Sequence, residues 1–472
     1  MSTENPPSKA DGDAQPRVIG TAGGLAIVVG SMLGIGIFIV PPQVATHLPS
    51  MGLYLLAWVV GGVIAFSGAV AYAELGTRFP RAGGDYVFLR EAFGPSLSFG
   101  AGWLLFVGVF TGSVATMAVP LAEFQLPVLL GPVAEIDPHK VLWSLGFLEL
   151  TVARLAAVVI IAALTGLNIV GTRFSAGAQM VFTGIPMALL AVAALAIFLT
   201  MEPATLEVAA PSEESPLVSF GRAVLAIYFA YAGWNAIAYV GGEMKSPEKT
   251  IPVSLLGGTA AITALYLLLA AVFVFVLGID GLQNVMEAGT ATADAIAGSW
   301  TTWVVTALIA IALIGSLNAT VLAGGRVGWA MARRDALATS MGTLSHRFET
   351  PARALLLQGV VAVLFVLTGT FEMLLELTSI AMFLMGALTV VALFVIRNRD
   401  GDDAPYRATG YPWVPSLFVV ITVVIIAASL YRAAFGIDGL STESVYPLAG
   451  LGLFLVAALG HWAIQRWSSP KR

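Results

Sequence analysis

Apolar runs of about 20 residues recur along nearly the whole 472-residue chain. Each is long enough to cross the roughly 30 Å hydrocarbon core of a bilayer as an α-helix. No other feature leaves so few folds open. Lipid cannot satisfy backbone N–H and C=O groups, so a chain built of such runs folds as a bundle of membrane-spanning helices. Composition agrees, with 58% hydrophobic and 11% charged residues. Cysteine is absent, which excludes a thiol nucleophile, a cysteine metal site and a disulfide-linked heavy subunit.

The runs place twelve spans, at roughly 18–46, 52–78, 96–130, 150–170, 174–200, 217–243, 252–278, 299–332, 354–371, 373–396, 412–436 and 445–467. With both termini cytoplasmic, all but four of the 23 basic residues (Lys140, Arg154, Arg222 and Arg432) fall on the cytoplasmic side. That skew obeys the positive-inside rule and supports an even span count in the cell membrane. The outer segment 201–215 carries four glutamates and no basic residue. No cleavable signal peptide is evident. Residues 1–17 are polar and Pro-rich and read as a disordered cytoplasmic tail, with a second short tail at 468–472.

Two spans are interrupted where a helix should be strongest. Span 1 contains GSMLGIGIF, residues 30–38, and span 6 contains FAYAGWN, residues 229–235. Spans 1 to 5 (18–200) and spans 6 to 10 (217–396) form two blocks of similar length, each opening with an interruption. Five is odd, so the second block runs inverted through the membrane, as in the inverted-repeat plan of secondary transporters. Helices 11 and 12, at 412–467, follow the repeats. An unwound segment frees N–H donors at a helix start, which suit a carboxylate. It also frees carbonyls, which suit an ammonium. One zwitterion satisfies both. Taken alone, the glycines of GSMLGIGIF favour close helix packing; the matching break in the second block turns the balance to binding.

These segments, with GEMKSPEKTIP (242–252), AYAELGTRFPRAGGDYVFLREAFGP (71–95), SLNATVLAGGRVGWAMARRDAL (316–337) and TPARALLLQG (350–359), resemble the amino acid–polyamine–organocation (APC) superfamily, closest to its L-type amino acid transporters. The resemblance covers spans 1 to 10. It implies a LeuT-type fold, with a 5+5 inverted repeat and broken helices 1 and 6, and amino acid transport by alternating access. By position, the carboxylate would meet the N–H groups of Ile35 and Gly36, with Gly34 and Ser31 shaping the turn. The ammonium would meet the carbonyls of Met32, Phe229 and Ala232. Phe229 would also act as a gate, and Asn235 would line the pocket or tie the unwound segment together. Relatives often have serine where Ile35 stands. Many also place a lysine in span 5, which here has none and aligns Pro186 there.

Other residues carry two readings. Glu74 and Arg78, with Arg81 and Glu243, fit an inner-gate charge network or simple boundary anchors. Arg326 lies deeper and calls for a carboxylate or helix-end carbonyl partner. Ser316, Asn318 and Thr320 fit helix–helix hydrogen bonds or, for Ser316 and Thr320, an ion site. Glu123 fits the outer interface better than a transport role. The segment RAGGDYVFLREAFGP reads as a short cytoplasmic helix along the membrane face. The four histidines make no metal spacing.

No HExxH or P-loop motif is present and no catalytic cluster lies at membrane depth, so an enzyme and an ATP-driven pump are not expected. Neither a cofactor, a metal nor a nucleic-acid partner is expected. The remaining functions are a secondary transporter or exchanger for neutral amino acids, a sensor with the same fold, or a transporter for cationic amino acids or polyamines. The expected pocket residues include Met117, Ala115 and Ala118, with no charged cluster, which favours neutral substrates.

Overall fold

A computed structural model describes residues 17–131, 133, 135–145, 148–201, 216–335, 339–369, 371–435, 452 and 454–463. The tails at 1–16 and 468–472, the acidic segment 202–215 and most of span 12 lie outside the described residues. The helices are α1 (Thr21–Met32), α2 (Gly36–His47), α3 (Met51–Arg78), α4 (Asp85–Phe93) and α5 (Pro95–Leu130). A hairpin of β1 (Val141–Leu145) and β2 (Leu148–Thr151) precedes α6 (Val152–Val170) and α7 (Thr172–Thr200). Then come α8 (Pro216–Ala230), α9 (Ala236–Tyr239), α10 (Pro247–Gln283), α11 (Ala288–Ala297), α12 (Ser299–Asp335) and α13 (Ala352–Thr368). The last are α14 (Phe371–Asp400), α15 (Trp413–Phe435) and α16 (Phe454–Ala463).

Local signals set several boundaries. The Ser50 hydroxyl accepts from the Leu53 N–H at 3.3 Å at the start of α3, and Thr151 caps α6 in the same way at 3.2 Å. Pro247 opens α10, where its missing N–H costs nothing. Seven described helices are long and apolar enough to cross a membrane, and the pair α1/α2, bent by 41°, makes an eighth. Four shorter apolar helices, within α8, α13, α15 and α16, fall inside the remaining expected spans.

Burial separates the bundle into a centre and a rim. The apolar stretches of α5 and α12 are 83% and 72% buried inside the protein, whereas those of α6 and α7 are 33% and 22% buried. Rim helices expose aliphatic side chains such as Val159 and Val192, as lipid-facing surfaces do. At the centre, α1 packs on α10, α7 and α12, while α2 packs on α8 and α10. Two features were not visible beforehand. The segment before α6 is a hairpin with an exposed first strand. Span 3 is continuous but carries two π-helical stretches, Leu104–Thr111 and Leu121–Gln125, the first flanking the cavity described next.

Candidate functional site

The first break is three residues long, Leu33 to Ile35, and is almost fully buried: Met32 is 1% exposed, Leu33 0% and Ile35 1%. The Leu33 N–H still bonds back to Val29 and the Gly34 N–H turns to the Met32 carbonyl at 2.7 Å. The N–H of Ile35 has no backbone acceptor among the described residues, and Gly36 begins α2, where no intrahelical acceptor exists. Donors and a positive helix end therefore converge here. Gly36 has a second reason to be glycine. A Cβ on it would lie 2.5 Å from Ala230 Cα, so the first break is pressed against the second. Gly34 differs, because the nearest atom a Cβ there would meet is the Ser316 hydroxyl at 3.3 Å, with Met117 Sδ and the Met32 carbonyl at ordinary contact distance, 3.8 Å.

The second break is longer, Tyr231 to Asn235, and less buried at Ala232, Gly233 and Asn235. Gly233 sits at φ +95°, and a Cβ there would strike the Ser31 carbonyl at 2.6 Å. The Phe229 carbonyl accepts from the Ala232 N–H at 3.0 Å, while the Ala232 carbonyl has no backbone donor among the described residues. Tyr266 of α10 joins the two breaks. Its hydroxyl lies in hydrogen-bond contact with the carbonyls of Met32 and Ala230, the latter at 3.2 Å. Of the three carbonyls expected for an ammonium, Met32's is thus already met by two donors, Phe229's by one and Ala232's by none.

One cavity lies between the breaks. Ser31, Met32, Gly34, Ile35, Gly36, Phe229, Ala232 and Asn235 all line it, together with Ser316 and Thr320 of α12. From α5 the lining includes Ser113, Thr116 and Met117, whereas Ala115 and Ala118 are fully buried elsewhere. Ser316 donates to the Ser31 carbonyl at 3.2 Å, and Thr320 back-bonds to the Ser316 carbonyl at 2.8 Å. Asn318 faces away, into a buried polar chain: Asn168 to Asn318 at 2.9 Å, Asn318 to Gln179 at 2.8 Å and Gln179 to Thr183 at 2.9 Å. That chain reaches span 1 at the Ala26 carbonyl, 3.3 Å from the Thr183 hydroxyl.

The floor of the cavity holds its one carboxylate among the described lining residues, Asp85, which the sequence reading had assigned to a surface helix. Asp85 opens α4 and is 1% exposed. Gly83 and Gly84, at φ +116° and +49°, let the chain turn inward against the Tyr239 ring, where a Cβ on Gly84 would come within 2.5 Å. The Gly83 N–H donates to the Tyr239 carbonyl at 3.0 Å. Asn235 donates to the Tyr239 hydroxyl at 3.1 Å, and that hydroxyl donates to Asp85 Oδ2 at 2.7 Å. Burial pushes the Asp85 carboxyl up to about 6, against hydroxyl contacts that lower it.

Below the floor, the chain before α1 and the chain after α9 are stitched by backbone. The Val18 and Ile19 N–H groups both donate to the Glu243 carbonyl at 2.9 Å, and the Lys245 N–H returns to Ile19 at 2.8 Å.

The expected charge network of Glu74, Arg78, Arg81 and Glu243 is corrected here, because it divides into three. Glu74, fully buried, takes the Arg78 Nε at 3.0 Å, the Arg397 Nε at 2.9 Å and the Ala408 N–H at 2.7 Å, so it anchors α3 to α14 and the loop after it. Glu243 pairs instead with Arg326 at 2.8 Å, both essentially unexposed. Arg81 reaches Glu91 at 3.0 Å. The reason is orientation. Glu243 follows the second break and faces α12, while Glu74 lies one turn before the end of α3 and faces α14. Glu123 lies 3.4 Å from His139 near the far end of α5. Among the described residues no group of three His, Cys, Asp or Glu could hold a metal ion.

Sequence reasoning missed Asp85, Tyr239 and Tyr266. The signals were present: paired glycines before an acid, and a lone tyrosine in the aliphatic run ALYLLLAAVF.

Comparison with known proteins shows the family. The amino acid permease family model matches residues 19–457. The serine/threonine exchanger SteT of Bacillus subtilis is 27% identical over 418 residues, 88% of this chain and 91% of the relative. The mouse b(0,+)-type amino acid transporter 1 is 27% identical over 421 residues, covering 88% and 82%. The human large neutral amino acids transporter small subunit 2 is 26% identical over 401 residues, covering 84% and 72%. All three carry names of transporters or exchangers, none of an enzyme. The chain belongs to the amino acid permease family of the APC superfamily.

Proposed function

We propose that this protein is a secondary transporter or exchanger of neutral amino acids, working by alternating access in the cell membrane with both termini cytoplasmic. One observation carries the reading: two interrupted helices, one ending in unpaired donors and one in an unpaired carbonyl, line the same cavity. The substrate carboxylate sits on the Ile35 and Gly36 N–H groups. Its ammonium sits on the Ala232 and Phe229 carbonyls, and on Met32's only when Tyr266 lets go. Phe229 covers the substrate. Counted as spans, the four shorter apolar helices bring eight to twelve, in a LeuT-type arrangement of repeats at 18–200 and 217–396. The names of the relatives support an amino acid substrate. A basic side chain would find a single carboxylate, Asp85, already engaged by Tyr239, which favours neutral substrates. Ser316 and Thr320 support the turn at Ser31 and leave an ion role secondary.

The test is counterflow in proteoliposomes with all twenty amino acids, their methyl esters and their N-acetyl derivatives. Neutral amino acids exchange, and each derivative loses most of its competition. Arginine, lysine or glutamate competing best would overturn the neutral reading. Binding without flux would make the protein a sensor.

A further inference from the structure

The feature that substrate recognition does not use is Asp85. It is a buried carboxylate at the start of a connecting helix, outside the membrane-spanning segments, yet it lines the substrate cavity. Only one of its oxygens is hydrogen-bonded, to Tyr239, and Oδ1 has no partner among the described residues. The hydroxyls of Tyr72 on α3 and Thr389 on α14 turn toward the same carboxyl. Neither of them has a hydrogen-bond partner in this conformation among the described residues. Three polar groups nine-tenths buried or more thus converge with none of these three atoms paired among the described residues.

No cation neutralises this carboxylate among the described residues, because the charges around it are committed elsewhere. On α12, Arg326 holds Glu243, Arg334 reaches Glu91 at 3.8 Å and Arg333 stacks over Trp329. On α14, Arg397 holds Glu74 and Arg399 holds Asp400. On α3, Arg78 also holds Glu74, and on α4 itself Arg90 bonds Tyr86. On α5 the acid is Glu123, beside His139 at the other end. What faces Asp85 from α8 and α9 is tyrosine, Tyr228 and Tyr239, neutral groups that bring no cation to it. A buried charge without a cation favours protonation. The positive end of α4 and the Tyr239 hydroxyl favour ionisation. The balance leaves the group titratable near physiological pH.

We propose that Asp85 is a proton-binding site of this transporter, reached through the substrate cavity, and that its protonation loosens the joint between α4 and α9 that closes the cavity floor. When ionised, Asp85 takes a charge-assisted bond from Tyr239, stronger than the bond a neutral carboxyl accepts. Tyr239 also carries Asn235 of the second break, and its carbonyl holds Gly83. One proton therefore reaches the unwound segment that faces the substrate and the loop that seals the cavity from below. The inference rests on the proposed transport function, deepening it to proton-dependent exchange.

The experiment measures exchange of the best substrate in proteoliposomes from pH 5 to 8, in sodium and in choline buffer. With the group titrating at about 6, its protonated fraction falls about tenfold between pH 5 and pH 7. The exchange rate changes with it, identically in both buffers. Asp85→Asn flattens the profile. Tyr239→Phe removes a donor to the ionised form and moves the midpoint to higher pH, which a merely structural role would not do. A wild-type rate that does not vary with pH, a profile that survives Asp85→Asn, or a dependence on sodium instead of protons overturns the proposal. Should no amino acid exchange at all, the transport reading fails, and the thermal stability of purified protein still decides Asp85. Because burial raises the folded-state value above the ordinary carboxylate value, wild type gains stability relative to Asp85→Asn as pH falls from 7 to 5. A constant difference rejects the site.

Discussion

The two helix breaks solve one problem by different means. Span 1 is interrupted over three residues, nearly all buried, and held by close contact of backbone on backbone at Gly36 and Ala230. Span 6 is interrupted over five residues, several half-buried, and held by side chains: Tyr266 above, then Asn235, Tyr239 and Asp85 below. Close packing has no partly satisfied state, since interiors do not deform continuously. Hydrogen bonds to a titratable group do. The first break is therefore suited to present fixed donors, and the second to answer a change of proton or ligand. Predictions that remove packing should hurt stability, whereas those that remove the side-chain links should hurt coupling.

The largest effect is expected where the chain before α1 meets the chain after α9. Glu243 accepts the backbone of Val18 and Ile19 and pairs through its carboxylate with Arg326. Arg326→Met leaves that carboxylate buried without a partner, a loss of about 3–5 kcal/mol. Thermal unfolding in detergent should show it, and adding Glu243→Gln should recover much of it. An additive double variant would mean that the pair does not hold the two ends together.

Next is Gly36→Val. Its Cβ alone would overlap Ala230, and because the obstacle is backbone, relief requires one break to move off the other. Overpacking of this kind costs about 1–3 kcal/mol or more. Uptake should vanish and stability fall together. Stable protein with normal uptake would remove the packing role assigned to the first break.

Tyr266→Phe is milder. It deletes the hydroxyl shared by Met32 and Ala230 without changing the shape of the ring. Leaving buried carbonyls unpaired costs about 1–3 kcal/mol, reduced here because Met32 keeps its bond from Gly34. Exchange should fall by more than the stability loss accounts for, since the variant uncouples the breaks. Equal losses would reduce Tyr266 to a packing residue.

These differences also mark how far the sequence could be read. Span positions came from hydropathy, and helix ends such as those of α3 and α12 fell within a few residues of expectation. The first break was legible because glycines are conspicuous in an apolar run. The second was legible through the FAYAGWN stretch and the equal length of the two blocks. Asp85 was not. RAGGDYVFLREAFGP is amphipathic and polar enough to read as a surface helix, and its inward turn depends on Gly83 and Gly84 meeting Tyr239, more than 150 residues away. The Glu243–Arg326 pair was hidden for the same reason, since charge identity says nothing about which distant helix faces it. The π stretches of α5 have no compositional mark, although residues of the first one line the cavity.

The smallest effect separates the two glycines of the first break and is the sharpest test of their roles. Gly34 adopts no left-handed backbone, and the one tight contact of a methyl on it would be the tip of Ser316, which can rotate aside. Gly34→Ala should therefore leave folding within about 0.5–1 kcal/mol of wild type. The methyl nevertheless enters the cavity beside Ser316 and Met117, where the substrate turns from the first break toward α12. A lost methylene's worth of room changes discrimination by about 1–3 kcal/mol, so larger neutral amino acids should lose competition more than alanine or serine does. Uptake competition at matched expression, alongside thermal unfolding, measures both quantities. If Gly34→Ala destabilises as strongly as Gly36→Val, the whole first break is a packing joint and its donors are incidental. If only the substrate order shifts, Gly34 shapes the site and Gly36 holds it closed against the second break.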